Sequence, residues 1–186
     1  MAHIILASSS PRRQELLQQL GLDFEIYSPD VDEAVHDGEI VEHYVERLAR
    51  EKAQVVLNKY TDAIVIAADT SLSFAGQIIG KPASKQHAFS IWSMLSGQWH
   101  DVYSGICVAS SAQILSTVVR TQVELQKLSH AEMEKYWATG EPIGKAGAYA
   151  IQGIAAQYIP QIRGSYSNVV GLPLHEIAQL LESVKA

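Results

Sequence analysis

The stretch Ala63-Ile64-Val65-Ile66-Ala67-Ala68-Asp69-Thr70, continuing through Ser71-Leu72-Ser73-Phe74-Ala75-Gly76-Gln77-Ile78-Ile79-Gly80-Lys81-Pro82, decides the fold. Ala63 to Ala68 form an unbroken apolar run. Such a run suits a short strand covered on both faces, because a strand with one wet face alternates polar and apolar positions. Asp69 and Thr70 follow at its carboxyl end, where α/β sheets tend to place chemistry. The next residues read as a hairpin, Ser71 to Phe74 and Gln77 to Gly80, turning at Ala75-Gly76. A covered strand that runs into a hairpin predicts a mixed sheet in an α/β fold and fits a regular doubly wound parallel sheet less well.

Upstream, the apolar run His3 to Ala7 ends in Ser8-Ser9-Ser10, and Pro11 opens a helical pattern with Leu16, Leu17 and Leu20 on one face, closed by Gly21. Ser10 has an N-cap side chain, and Pro11 has no amide hydrogen to leave unpaired in the first turn. Phe24 to Tyr27 reads as a strand before the acidic connection Ser28 to Glu33. From Ile40 to Leu57 the positions Val41, Tyr44, Val45, Leu48, Ala49, Ala53 and Val56 make an apolar helix stripe, with Lys52 at its edge. Downstream come a helix from Ser84 to Leu95 and two long strands, His100 to Ala109 and Ile114 to Leu125. They are followed by a helix from Ser129 to Trp137 and a glycine-rich loop from Gly140 to Gly153. A strand near Gln157 to Ile162, a turn at Arg163-Gly164-Ser165 and a helix from Leu174 to Val184 complete the order. With no repeat, linker or low-complexity tract, the expectation is one domain over residues 1–186.

The 186 residues, 47% hydrophobic and 18% charged, are enough for a single core. The lone Cys107 excludes an intrachain disulfide and a cysteine-rich metal cage, which fits a reducing compartment. No run reaches the roughly 18 apolar residues of a membrane span, and the start Met1-Ala2-His3-Ile4-Ile5-Leu6 lacks the positive front of a signal peptide. No membrane partner is expected. A net charge of -6 without a basic block argues against a long nucleic acid as partner, while a single nucleotide needs only a few local cations.

Ser8-Ser9-Ser10-Pro11-Arg12-Arg13 gathers hydroxyls, the free amides of a helix start and two guanidinium groups, all of which favour phosphate. A capped surface helix with solvated arginines is an equal reading of the turn alone. Asp69 could hold a metal or a water, although a lone strand-end aspartate more often caps its own turn. Gly76 to Pro82 is not a Walker loop, since its spacing is one residue short and proline replaces the serine or threonine. Lys81 is then a surface lysine or a single ammonium aimed at phosphate. Asp30, Asp32 and Glu33 could hold magnesium or form a solvated acidic loop. Gln152, among small residues, carries both a donor and an acceptor suited to a uracil or thymine edge, or belongs to an ordinary connection. The histidines show no zinc spacing, and Trp92, Trp99 and Trp137 read more simply as core.

Together, Leu6 to Arg13, Ala68-Asp69-Thr70, Gly80-Lys81-Pro82, Lys145 to Tyr149 and Gly164 to Pro173 resemble the Maf family of nucleotide pyrophosphatases. The resemblance runs in order from about residue 4 to residue 182 and includes Arg47 to Ala53. It implies a fold like that of the inosine triphosphate pyrophosphatases, an elongated mixed sheet flanked by helices, with two lobes and a central cleft. It also implies a nucleoside triphosphate substrate cut between the α and β phosphates, a homodimer, a cytoplasmic location and a divalent cation, Mg2+ or Mn2+. By the same resemblance Asp69 is the general base, and Arg12, Thr70 and Gln152 go with preference for dTTP and UTP. Arg13, Lys52 and Lys81 contact phosphate, Ser8 is the loop hydroxyl, and Glu33 lies near the metal with Asp69. The rivals are a nucleotide-sensing regulator of cell division or septum formation without turnover, and hydrolysis of the terminal phosphate. Lys52 and Lys81, as charges near the cleft, are both expected to be replaceable without loss of fold.

Overall fold

The computed structural model describes residues 3–185. Met1 and Ala2, the first positions of the stretch read for a targeting signal, lie outside the described residues, as does Ala186. The chain runs β1 (Ile4–Leu6), α1 (Pro11–Gln18), β2 (Glu25–Ile26), α2 (Val41–Lys59), β3 (Ile64–Phe74), β4 (Gln77–Ile79) and α3 (Lys85–Leu95). It continues with β5 (Trp99–Ala109), β6 (Ile114–Glu124), α4 (His130–Trp137), β7 (Gln161–Arg163), α5 (Tyr166–Val170) and α6 (Leu174–Lys185). Short 3-10 segments cover Ala146–Ala148 and Ile154–Tyr158.

One mixed seven-stranded sheet orders its strands β2-β1-β3-β5-β6-β7, with β4 also on β3. β1 pairs in parallel with β2 and β3, and the remaining pairs are antiparallel. The long strand β3 places Ile64, Ile66, Ala68 and Leu72 in one core with Leu17, Trp92, Ile106 and Ile177. The intervening Val65 and Ala67 pack on the other face with Ala49, Ala53 and Val56 of α2. Helices on both faces explain why the run has no polar alternation.

The strand β3 is longer than its apolar run predicts. Asp69 and Thr70 lie inside it, paired with Gly105 and Ser104 of β5, rather than beyond its end. Backbone pairing continues through polar side chains because the ladder uses main-chain groups. The turn at Ala75-Gly76, both at positive φ, then returns the chain as β4.

One edge of β3 has a break. β1 pairs with Ile64, Val65 and Ile66, and β4 with Leu72, Ser73 and Phe74 on the same edge, while β5 runs along the opposite edge from Val65 to Ser73. Residues 67–71 thus carry a strand on one side only, which leaves a notch between β1 and β4 at Asp69 while β5 and β6 run on unbroken.

Gly105, opposite Asp69, has a second role, since a Cβ there would overlap the backbone carbonyl of Val45. Its bare backbone lets α2 lie directly on the sheet. The strand expected near Gln157 to Ile162 is shorter, because residues 154–158 coil into a 3-10 segment, and α5 between Arg163 and Gly171 was not foreseen. Ser10 is the N-cap residue of α1, but its side chain makes no capping bond; its own amide instead donates to Ser8 Oγ at 3.2 Å.

Candidate functional site

A cleft of about 380 Å³ opens at the break in β3. Every residue given a site role by the family resemblance lines it: Ser8, Arg12, Arg13, Glu33, Lys52, Asp69, Thr70, Lys81 and Gln152. Asp30 and Asp32 do not. Asp32 is used locally, its Oδ1 accepting from the Ala34 amide at 3.0 Å, so of that acidic run only Glu33 reaches the cleft.

Strand alternation separates Asp69 from Thr70. Asp69 faces α2, where Lys52 Nζ donates to its Oδ1 at 2.6 Å and lies 2.8 Å from Glu33 Oε1. Lys52 comes from the buried stripe of α2 and is itself buried, so its charge is held by two carboxylates rather than by water. Burial alone would raise the Glu33 carboxyl, but Lys52, then Lys81 and Arg13, bring it below its ordinary range. Lys81 is exposed just past β4, which separates it from Lys52 in any argument about folding.

On the other face, Arg13 is tied down at every nitrogen. Its Nε donates to the Gly171 carbonyl at 2.8 Å, one terminal nitrogen to Ser8 Oγ at 3.3 Å and the other to Thr70 Oγ1 at 3.2 Å. The Thr70 hydroxyl also lies 2.8 Å from Ser104 Oγ and donates to the Gly171 carbonyl at 3.3 Å. Thr70 is therefore occupied by protein partners, and its influence on a ligand passes through Arg13 and the backbone at Gly171. Desolvation pulls the Arg13 guanidinium down, Asp69 opposes this, Arg12 adds to it and Glu33 opposes. A polyanion in the cleft would relieve the crowding of Arg12 and Arg13.

The remaining wall holds Lys145, Tyr149 and Gln152. Lys145 and Tyr149 stand in the quoted glycine-rich segment but were not read as site residues. A lone lysine and a tyrosine in a loop carry no spacing signal. Tyr149 is buried, with its hydroxyl 2.7 Å from Nε2 of the buried His100. Desolvation lowers the Lys145 ammonium, with Arg12 adding to the effect and Glu141 opposing it.

Glu33 and Asp69 fit a divalent cation of the kind that keeps most of its shell for water and phosphate. Both line the cleft, and their only ion-pair partner among the described residues is the shared Lys52. No group of three or more His, Cys, Asp or Glu side chains able to cage a metal exists among the described residues, so the rest of the shell would come from water and substrate oxygens.

Comparison with known proteins matches residues 3–184 to the family model described as Maf-like protein. A dTTP/UTP pyrophosphatase of Acinetobacter baylyi is 70% identical over 181 residues, covering 97% of this chain and 99% of that protein. Its counterpart of the same name in Colwellia psychrerythraea is 48% identical over 183 residues, covering 96% and 86%. Among solved structures, the Ham1 protein of Staphylococcus aureus aligns with 66% of this chain and 71% of that one, at 15% identity and a TM-score of 0.46. No described helix is long and apolar enough to cross a membrane.

Proposed function

Because the chain belongs to the Maf family, we propose that it is a nucleoside triphosphate pyrophosphatase that hydrolyses dTTP and UTP to the monophosphate and pyrophosphate. The observation that carries this reading is the meeting of Arg12, Arg13, Lys52 and Lys81 with two carboxylates, Asp69 and Glu33, at the break along β3. A pure binder of a polyanion gains nothing from Asp69 unless a metal intervenes, which disfavours a metal-free sensor without turnover.

In this reading the arginines and lysines hold the triphosphate, and Lys52 fixes the orientation of Asp69 through their hydrogen bond. Asp69 orients a water toward the α phosphorus and takes its proton as the new P–O bond forms. The bond from that phosphorus to the bridging oxygen breaks, and pyrophosphate leaves with the oxygen and its electron pair. General-base assistance of this kind is worth about 10²-fold to 10⁴-fold, and positioning and electrostatics supply most of the rest. Glu33 and Asp69 are the residues that would hold a divalent cation, Mg2+ or Mn2+, whose chemistry there is neutralisation of charge on the phosphoryl oxygens. Gln152 reads the pyrimidine edge. The same reading makes the enzyme a cytoplasmic homodimer.

The test is product analysis with UTP and magnesium. Monophosphate with pyrophosphate is expected. Diphosphate with orthophosphate would mean terminal hydrolysis, and binding without product would restore the sensor.

A further inference from the structure

Gln152 is exposed on the cleft wall, and its side chain makes no hydrogen bond to another described residue, so its aim depends on the backbone that carries it. That backbone is gripped from both sides. Glu141 Oε2 accepts from the Ile154 amide at 2.8 Å, and its Oε1 accepts from the Ala155 amide at 3.2 Å. The same Oε1 accepts from the Tyr136 hydroxyl at 2.7 Å, and that hydroxyl in turn accepts from the Ala150 amide at 3.2 Å. Two side chains thus close a bracket over residues 150–155 with Gln152 inside it.

The bracket is anchored in the core. Tyr136 is 2% exposed and packs against Trp92 and Tyr158. Gly153 fits the same arrangement, because a Cβ at that position would overlap the Glu141 carboxylate. Burial by itself would raise the Glu141 carboxyl, but the bonds from Tyr136, Ile154 and Ala155 hold it below its ordinary range, so it stays an ionised acceptor. A charged acceptor bonded to two backbone amides holds a loop more firmly than a neutral one would.

We infer that Glu141 and Tyr136 are positioning residues for base selection, setting where Gln152 points and through it the preference for a pyrimidine ring. The inference rests on Gln152 as the reader of the base edge. A displacement of about 1 Å in such a reader leaves buried polar groups on base or protein unpaired, which a site built on hydrogen bonds does not tolerate.

The experiment measures kcat/KM for UTP and GTP in wild type, Gln152→Ala, Glu141→Gln, Tyr136→Phe and the double variant Glu141→Gln/Gln152→Ala. In Glu141→Gln the amide nitrogen cannot accept, so either the bond from the Ile154 amide is lost or both of those made to Oε1, from the Ala155 amide and the Tyr136 hydroxyl. The UTP-to-GTP ratio should fall about tenfold in each of the two bracket variants, with the GTP rate nearly unchanged, and no further in the double variant than in Gln152→Ala. Equal loss on both substrates with the ratio preserved is the result of a merely structural role and overturns the inference. If Gln152→Ala lowers the ratio while Glu141→Gln and Tyr136→Phe keep it, the bracket alone is wrong. If Gln152→Ala leaves the ratio at the wild-type value, the base-reading role fails and this inference fails with it. Should Glu141→Gln not fold, Tyr136→Phe and Gly153→Ala carry the same comparison, the latter by pushing the carboxylate off the loop.

Discussion

Lys52 Nζ lies 2.6 Å from Asp69 Oδ1, with side-chain exposures of 9% and 12%, so the phosphate-binding lysine and the general base of the proposed mechanism form one nearly buried ion pair between α2 and the break in β3. Lys52→Ala leaves the Asp69 carboxylate with no cation in contact, and breaking such a pair costs on the order of 3 kcal/mol. Urea denaturation should show this loss, in contrast to the expectation from sequence that the fold is indifferent. Less destabilisation should follow when Asp69→Asn is added, because the stranded charge is then gone. Wild-type stability in Lys52→Ala would remove the pair from the stability argument.

Asp69→Asn keeps the shape and an oxygen for Lys52 but cannot take a proton from water. Turnover of UTP should fall about 10²-fold to 10⁴-fold while nucleotide affinity by calorimetry stays within a few fold. Turnover near the wild-type rate would sink Asp69 as the base.

Lys81 is exposed beyond β4 and has no ion-pair partner among the described residues. Lys81→Ala should leave the denaturation midpoint unchanged and lower kcat/KM for UTP by roughly tenfold or more, as expected for one lost charge-assisted phosphate bond. A shifted midpoint with unaltered kinetics would make it a structural lysine.

The His100 imidazole is pulled down to about 4 by burial, with Asp101 opposing. The unfolded chain takes up this proton near its ordinary pKa of 6.5 and the folded chain only near 4. Between those values the unfolded state binds more protons, so the contribution is complete above about pH 6.5 and is lost as pH falls toward 4. Denaturation midpoints measured from about pH 7 to pH 4 should decline in wild type and decline less in His100→Gln; parallel curves would show that another group controls acid stability.

Gly105→Ala forces a methyl group against the Val45 carbonyl, where neither backbone can easily retreat. A loss of about 3 kcal/mol is expected. Because α2 also carries Lys52, the UTP rate of the folded fraction should drop as well, and unchanged stability would mean that the helix stands off the sheet.

Much of the fold was legible because its signals are local. The unbroken run before Asp69 announced a doubly covered strand, Ala75-Gly76 a tight hairpin, and the stripe of α2 an amphipathic helix. Ser129 announced a helix start, which the structure closes as a capping box with Glu132. The length of β3 was misjudged for a definite reason. Its end was inferred from side-chain polarity, whereas the ladder to Gly105 and Ser104 is made by the main chain.

The residue types of the cleft were also local information, since hydroxyls, arginines and an isolated carboxylate advertise their chemistry wherever they stand. Their meeting is not local. The break between β1 and β4 along one edge of β3 is the absence of a neighbour, and no pattern within residues 67–71 reports what another strand fails to cover. Glu141 likewise carries no local signal, because its partners Tyr136, Ile154 and Ala155 are defined only once α4 and the glycine-rich segment have packed. By itself, then, the sequence determined most of the strands and helices, though not α5 or the ends of β3 and β7, and which side chains can carry charge or bond phosphate, because those depend on neighbours along the chain. Only the tertiary structure decided which of these groups share a cleft, which are already bonded to the protein and which hold others in place, because those depend on register and on packing between segments far apart in sequence.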